Sequence, residues 1–206
     1  MTPRPAGLCA AAGLALAATL AAAASPSAAD DRWTRFGQEV YALHQRQVAG
    51  REIRIEESCG AYHGAAASGY GWREARHFDA VTGRLLSVVR YDRDRPGVIH
   101  FVEVYVYDDR GRVARDYAAV YLPWRTQRPA RTFVNLHAHN GELHAFRQFD
   151  ALGNRLRDQC EGRFRGQPVS YSLDENDIYG GPPATEAYGA CFAGLPAEAG
   201  EYLRPH

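Results

Sequence analysis

The chain has 206 residues, with 24 basic and 24 acidic side chains, so its formal net charge is zero. Every basic side chain is Arg: Lys is absent, and Met1 is the one Met. This excludes Schiff-base lysine chemistry, a phosphate-loop Lys, an S-x-x-K nucleophile pair and a Met-rich metal or lipid surface. Arginines scattered among acids also give no basic footprint for nucleic acid.

Residues 1–29 read as a secretory signal. Arg4 supplies the charged start and Leu8 to Ala24 an apolar run. Ser25-Pro26-Ser27-Ala28-Ala29 then breaks the helix with small residues suited to cleavage. No later stretch is apolar for long enough to span a bilayer, so no transmembrane anchor is expected after cleavage. The expected location is exported, in the periplasm or outside the cell. Cleavage after Ala29 removes Arg4 and no acid, leaving residues 30–206 with a formal charge of −1. Cys59, Cys160 and Cys191 remain, and an oxidising compartment favours one disulfide and one leftover thiol. Of the three pairings, Cys160–Cys191 staples the Gly/Pro-rich end to the body. Closing that loop would contribute roughly 3–4 kcal/mol in the chain-entropy model.

Asp31 to Val48 reads as a helix. Trp33, Phe36, Val40, Leu43 and Gln47 mark one stripe, Asp30 or Asp31 can cap its start, and Gly50 can end it. Strands follow. Arg51 to Ser58 alternates with Ile53 and Ile55, and 60–71 is a Gly/Ala/Ser loop. Three hairpins then share a turn, built on Asp79 and Gly83, Asp108 and Gly111, and Asp150 and Gly153. In each, Asp accepts backbone hydrogen bonds and Gly takes the left-handed position of a bulge. A fourth hairpin folds at Asn140-Gly141, the strongest two-residue turn signal. The expected fold is mainly β: an antiparallel meander of about eight strands, forming a curved sheet or partial barrel, with one N-terminal helix. The expected organisation is a signal peptide (1–29), a helix-plus-meander domain (30–165) and an irregular Gly/Pro-rich tail (166–206) packed on it. Without Lys, Arg must guard the sheet, with Arg147, Arg155 and Arg157 around the last hairpin and Arg76, Arg84 and Arg90 around the first.

The segment Tyr105-Val106-Tyr107-Asp108-Asp109-Arg110-Gly111-Arg112-Val113 resembles the core of a YD repeat, the hairpin unit of large secreted shell proteins. The resemblance implies a β-hairpin here. Shells need many repeats. The three turn aspartates stand at irregular spacings of 29 and 42 residues, so no shell or toxin function is carried over.

A turn at Asn140-Gly141 sets His139 opposite Glu142 and His137 opposite His144, all on one face. Val134, Leu136, Ala138, Leu143, Ala145 and Phe149 form the other, core-facing side. Pairing across the Gly153 turn sets Cys160 opposite His144. His137, His139, Glu142 and His144, with Cys160 as a further ligand, therefore form a candidate site for Zn²⁺, Cu²⁺ or Ni²⁺. Oxidation of Cys160 would remove it from the set.

Around the Gly111 hairpin, Val102, Val104, Val106, Ala114, Ala118, Val120 and Leu122 form a core face. Phe101, Glu103, Tyr105 and Tyr107 then oppose Ala119, Tyr117, Arg115 and Val113, with Tyr121 beyond. Phe101, Tyr105, Tyr107, Tyr117 and Tyr121 are the candidate ligand surface, able to stack on a sugar or close over an apolar ligand. Plain cross-strand aromatic pairing competes with that function. His100, among valines, reads as a core residue. Asp174-Glu175-Asn176-Asp177 lacks the spaced oxygens of a calcium loop and reads as a solvated turn. Of the strand carboxylates Glu103, Asp116, Glu142 and Asp158, nothing singles out an acid/base pair. No nucleophile elbow, zinc-protease or phosphate-loop motif occurs. The expected function is a non-catalytic binding or envelope-associated module, its partner a small ligand or envelope component. The alternatives are a metalloprotein on the histidine hairpin and a half-barrel carrier of an apolar ligand.

Overall fold

The structure, a computed structural model, describes residues 28–63 and 69–206. The expected signal therefore lies, except for its last two residues, outside the described residues. Helix α1 (Ala28–Val48) begins three residues before the expected Asp31. Nine strands follow: β1 (Ile53–Ala61), β2 (Gly71–Asp79), β3 (Leu85–Asp92), β4 (Ile99–Tyr107), β5 (Val113–Val120), β6 (Arg131–Asn140), β7 (Leu143–Phe149), β8 (Arg155–Phe164) and β9 (Gln167–Asp174). They form one antiparallel sheet in chain order, open at β1 and β9. The meander is thus mainly β as expected, with nine strands where about eight were anticipated. The extra strand belongs to the segment expected to be irregular. That segment also folds into α2 (Glu175–Gly180), α3 (Glu186–Cys191) and a 3-10 turn at Gly200–Leu203. Asp174 caps α2 in a capping box, so the acidic segment read as a solvated turn is the start of a helix. Among the described residues, no helix is long and apolar enough to cross a membrane.

The α1 stripe explains where the core sits. Phe36, Val40 and Leu43 are buried against Val89, Val102, Val104, Tyr117, Val134, Leu136 and Phe149 from β3 to β7. Each fully buried side chain of this kind contributes roughly 1.5–3 kcal/mol. Leu195, Ala199, Tyr202 and Leu203 extend the same layer. A second cluster joins Leu143, Ala145 and Cys160 to Cys191 and Phe192, and the Cys160–Cys191 disulfide crosses it as expected. Cys59 is left as an exposed free thiol.

The three Asp turns form as anticipated. Asp79 Oδ1 accepts the amides of Val81 and Thr82, Asp108 Oδ1 those of Arg110 and Arg112, and Asp150 Oδ1 those of Leu152 and Asn154. Gly83, Gly111 and Gly153 all have positive φ. Each turn is followed one pair later by a register shift: between His77 and Phe78, between Val106 and Tyr107, and between Gln148 and Phe149. Tyr107↔Val113 and Phe149↔Arg155 pair as the turns dictate, but beyond them every partner is displaced by one. A one-residue displacement moves side chains to the opposite face. Tyr117 therefore opposes Val104 within the core, and Cys160 opposes Ala145, not His144.

The fourth hairpin is displaced by two, which preserves its faces. Asn140 pairs with Leu143, so the loop is Gly141-Glu142. Asn140 is drawn into the strand by its side-chain amide, which donates to the carbonyls of Ala190 and Ala193 at 3.0 Å each.

Candidate functional site

The packing helices α1 and α3 share one face of the sheet. On the other, β6 and β7 bring His137, His139 and His144 together. His139 lies directly opposite His144, and His137 opposite Phe146. Asp116 on β5 anchors the group. Its Oδ2 lies 2.7 Å from His137 Nε2, and its Oδ1 accepts from Asn135 Nδ2 at 2.6 Å. Because a carboxylate only accepts, His137 Nε2 carries the proton. His137 Nδ1 then lies 3.1 Å from His144 Nε2. His139 Nε2 is 2.9 Å from the Val113 carbonyl and so donates to it, while its ring stacks on His144 with centroids 4.7 Å apart. Burial, reinforced by the neighbouring His137 and His139, holds His144 below the usual imidazole range.

The predicted ligand set is therefore assembled only in part. Glu142 sits exposed at the turn tip, and Cys160 is oxidised in the core. Among the described residues, no group of three or more His, Cys, Asp or Glu side chains is disposed to hold a metal ion.

The aromatic surface is also redistributed. Phe101 and Tyr105 keep the helix-free face. Tyr107 donates its hydroxyl to the Leu85 carbonyl at 2.7 Å and lies under Arg84. Tyr117 is fully buried, edge-on to Phe36, and Tyr121 packs against α1, where Gly37 leaves room for its hydroxyl. Both leave the candidate surface for the core, by the bulge described above.

In their place the sheet brings Trp72, Glu74 and Arg90 beside Phe101, Glu103 and Tyr105. Trp72 lies over Gly60, its partner on β1, where a Cβ would collide with the indole. The Arg90 guanidinium stands 4.7 Å from the Trp72 ring centroid and 5.7 Å from that of Phe101. It donates to Glu74 at 2.6 Å, and Arg76 donates to the same carboxylate at 3.0 Å. Burial pushes Glu74 up, but these two guanidinium partners hold its carboxyl below the usual range. Glu103 behaves oppositely. Burial raises it, the Tyr105 hydroxyl bonded at 2.6 Å offsets part of that, and the Asp116 and Glu74 carboxylates raise it further. The face thus offers ring surfaces, two carboxyls shifted in opposite directions, and a stacked guanidinium. Glu103 and Asp116 were legible only as acids on strands, with nothing in the sequence to single them out. Trp72 and Arg90 carried no signal, because only the β2–β3–β4 registers make them neighbours of Phe101.

Two guards expected at the surface are structural instead. Arg147 is buried and donates to Asp158 and to the Leu195 and Pro196 carbonyls. Arg155 and Tyr188 bind the same carboxylate. Burial pushes Asp158 up, and these donors together hold it below the usual range.

Comparison of the chain with family models, curated proteins and solved structures finds no match.

Proposed function

We propose that the protein is an exported, non-catalytic binding module that recognises saccharide on the helix-free face of its sheet. The observation carrying this is the row Trp72, Arg90, Phe101, with Glu103 next to Phe101 on the same face of β4. Ring faces stack on the C–H faces of sugars, and carboxylates accept from sugar hydroxyls. The absence of a nucleophile motif and the open form of the face favour binding over turnover. The Cys160–Cys191 disulfide is compatible with an oxidising, exported location. A carrier of apolar ligands would need an empty apolar interior, whereas α1 fills that side of the sheet.

The test is calorimetry and pull-down with purified peptidoglycan and a panel of neutral and N-acetylated oligosaccharides. Wild type is expected to bind at least one class. Trp72→Ala with Phe101→Ala is expected to weaken it at least about tenfold while the melting transition is retained. No binding by native protein to any member of the panel would overturn the proposal.

The histidine cluster supports a second reading, as a metal-binding protein. His137 and His139 donate their Nε2 protons to a carboxylate and a carbonyl, the outer partners that metal-bound histidines use. His137 Nδ1 and His144 Nε2, 3.1 Å apart, are left as the pair that would share Zn²⁺ or Cu²⁺. Titration with Zn²⁺ and Cu²⁺ should then show one site, lost in His137→Ala with His144→Ala. A flat titration of the native protein would remove it.

A further inference from the structure

We infer that β1 is a self-complementary edge, through which two copies of this chain pair antiparallel to extend the sheet across a twofold axis.

β1 has one sheet neighbour, β2, and its residues are exposed along most of its length on both faces. It contains no Pro, and its charges are of both signs, Arg54 with Glu56 and Glu57. Which backbone groups face outward follows from the β2 pairing. Glu52 accepts from the Ala80 amide and Tyr62 donates to the Tyr70 carbonyl. The pairing runs between them without a bulge. Even-numbered residues thus turn their amides and carbonyls to β2, and Ile53, Ile55, Glu57 and Cys59 turn theirs to the open edge.

A twofold axis normal to the sheet pairs residues of like parity and places one residue opposite itself. Centring on Arg54 sets two guanidiniums face to face, and centring on Glu56 or Glu57 sets two carboxylates face to face. Like charges directly opposed destabilise a pair. Centring on Ile55 has neither defect. Ile55 then meets its symmetry copy, Arg54 meets the partner's Glu56, and Glu56 meets the partner's Arg54. These reciprocal ion pairs fall at the non-hydrogen-bonded positions, where side chains are closest. The outward amides and carbonyls of Ile53, Ile55 and Glu57 close the ladder.

Ile55 supplies the independent mark. It is 52% exposed, and among the described residues it is the one large hydrophobic of a strand left so open. Arg54 already contacts Glu56 along the strand and lies 4.1 Å from the Phe78 ring centroid. Its aliphatic stem is thereby held on the sheet surface, beside the position the partner's Glu56 would take. The charges of β1 thus favour this alignment over the adjacent ones centred on Arg54, Glu56 or Glu57, and of the uncharged centres it alone pairs Arg54 with Glu56 in both directions.

Sedimentation equilibrium of the full chain tests this. Wild type is expected to associate reversibly to a dimer in roughly the micromolar range, as suits an interface of less than standard size. Arg54→Glu and Glu56→Arg should each weaken association at least tenfold, and the double variant should restore it. Ile55→Cys in a Cys59→Ser background should form a disulfide-linked dimer on mild oxidation. In this register Cys59 lies about 27 Å from its copy, so wild type should not cross-link. A monomer at about 100 μM, or dimers indifferent to both charge reversals, would overturn the inference. So would failure of the double reversal to restore association, or ready Cys59 cross-linking of the native dimer.

Discussion

His44 shows how one buried residue ties α1 to the sheet. Its Nδ1 lies 2.8 Å from Ser87 Oγ, and its ring packs at 4.7 Å from that of His77. Burial, and then the proximity of His77, pushes its pKa from 6.5 down to about 4. Burial also lowers His77. Below pH 6.5 the unfolded chain takes up a proton that the folded chain refuses until about pH 4. Stability is therefore complete above 6.5 and falls as the pH drops towards 4, by roughly 3 kcal/mol from His44 alone. Urea denaturation across that window should show the loss, and His44→Asn, which can still reach Ser87, should flatten it. An unchanged slope in the variant would rule His44 out as the source. Asp158 is the residue-scale counterpart on the other side of the core. Its burial is tolerated because Arg147, Arg155 and Tyr188 converge on it. A count of scattered charges could not distinguish such an arginine from a surface guard.

At the scale of elements, the hairpins show what was legible and what was not. Asp79, Asp108 and Asp150 with their following glycines located three turns correctly, because an Asp carboxylate capping two amides and a glycine at positive φ are local requirements. The register beyond each turn was not local. Leu86, Ala114 and Leu156 are left over where each ladder shifts, and the extra residue accentuates the twist that lets the sheet follow α1. That shift carried Tyr117 and Cys160 from the candidate surfaces into the core. The histidine face survived because the Asn140-Gly141 hairpin slipped by two, which leaves side-chain parity intact. The Cys160–Cys191 bond then fastens α3 to β8. Its sequence separation of 31 residues corresponds to about 3–4 kcal/mol of denatured-state entropy. Reduction should lower the urea midpoint accordingly, with the mild alkylation of Cys59 alone leaving it in place. Equal midpoints for oxidised and reduced protein would show that the cluster around Cys160 stands without its staple.

For the molecule as a whole, the amino-acid sequence by itself determined one amphipathic helix, a run of alternating strands joined by self-sufficient turns, and so a mainly β meander. It determined the disulfide pairing only as the preferred one of three. These depend on periodicity, turn chemistry and capping, all of which act within a few residues. The tertiary structure decided the rest: that α1 fills one face, that the C-terminal segment contributes β9 and the cover over β7 and β8, and which side chains share the open face. Trp72, Arg90, Phe101, Asp116 and His137 come from five strands, and their adjacency depends on four successive registers. A single-residue bulge in any of those ladders exchanges the two faces. Local signals do not carry that sum, whereas the burial of Val89, Val104, Tyr117 and Val134 beneath α1 fixes the registers of β3 to β6 together.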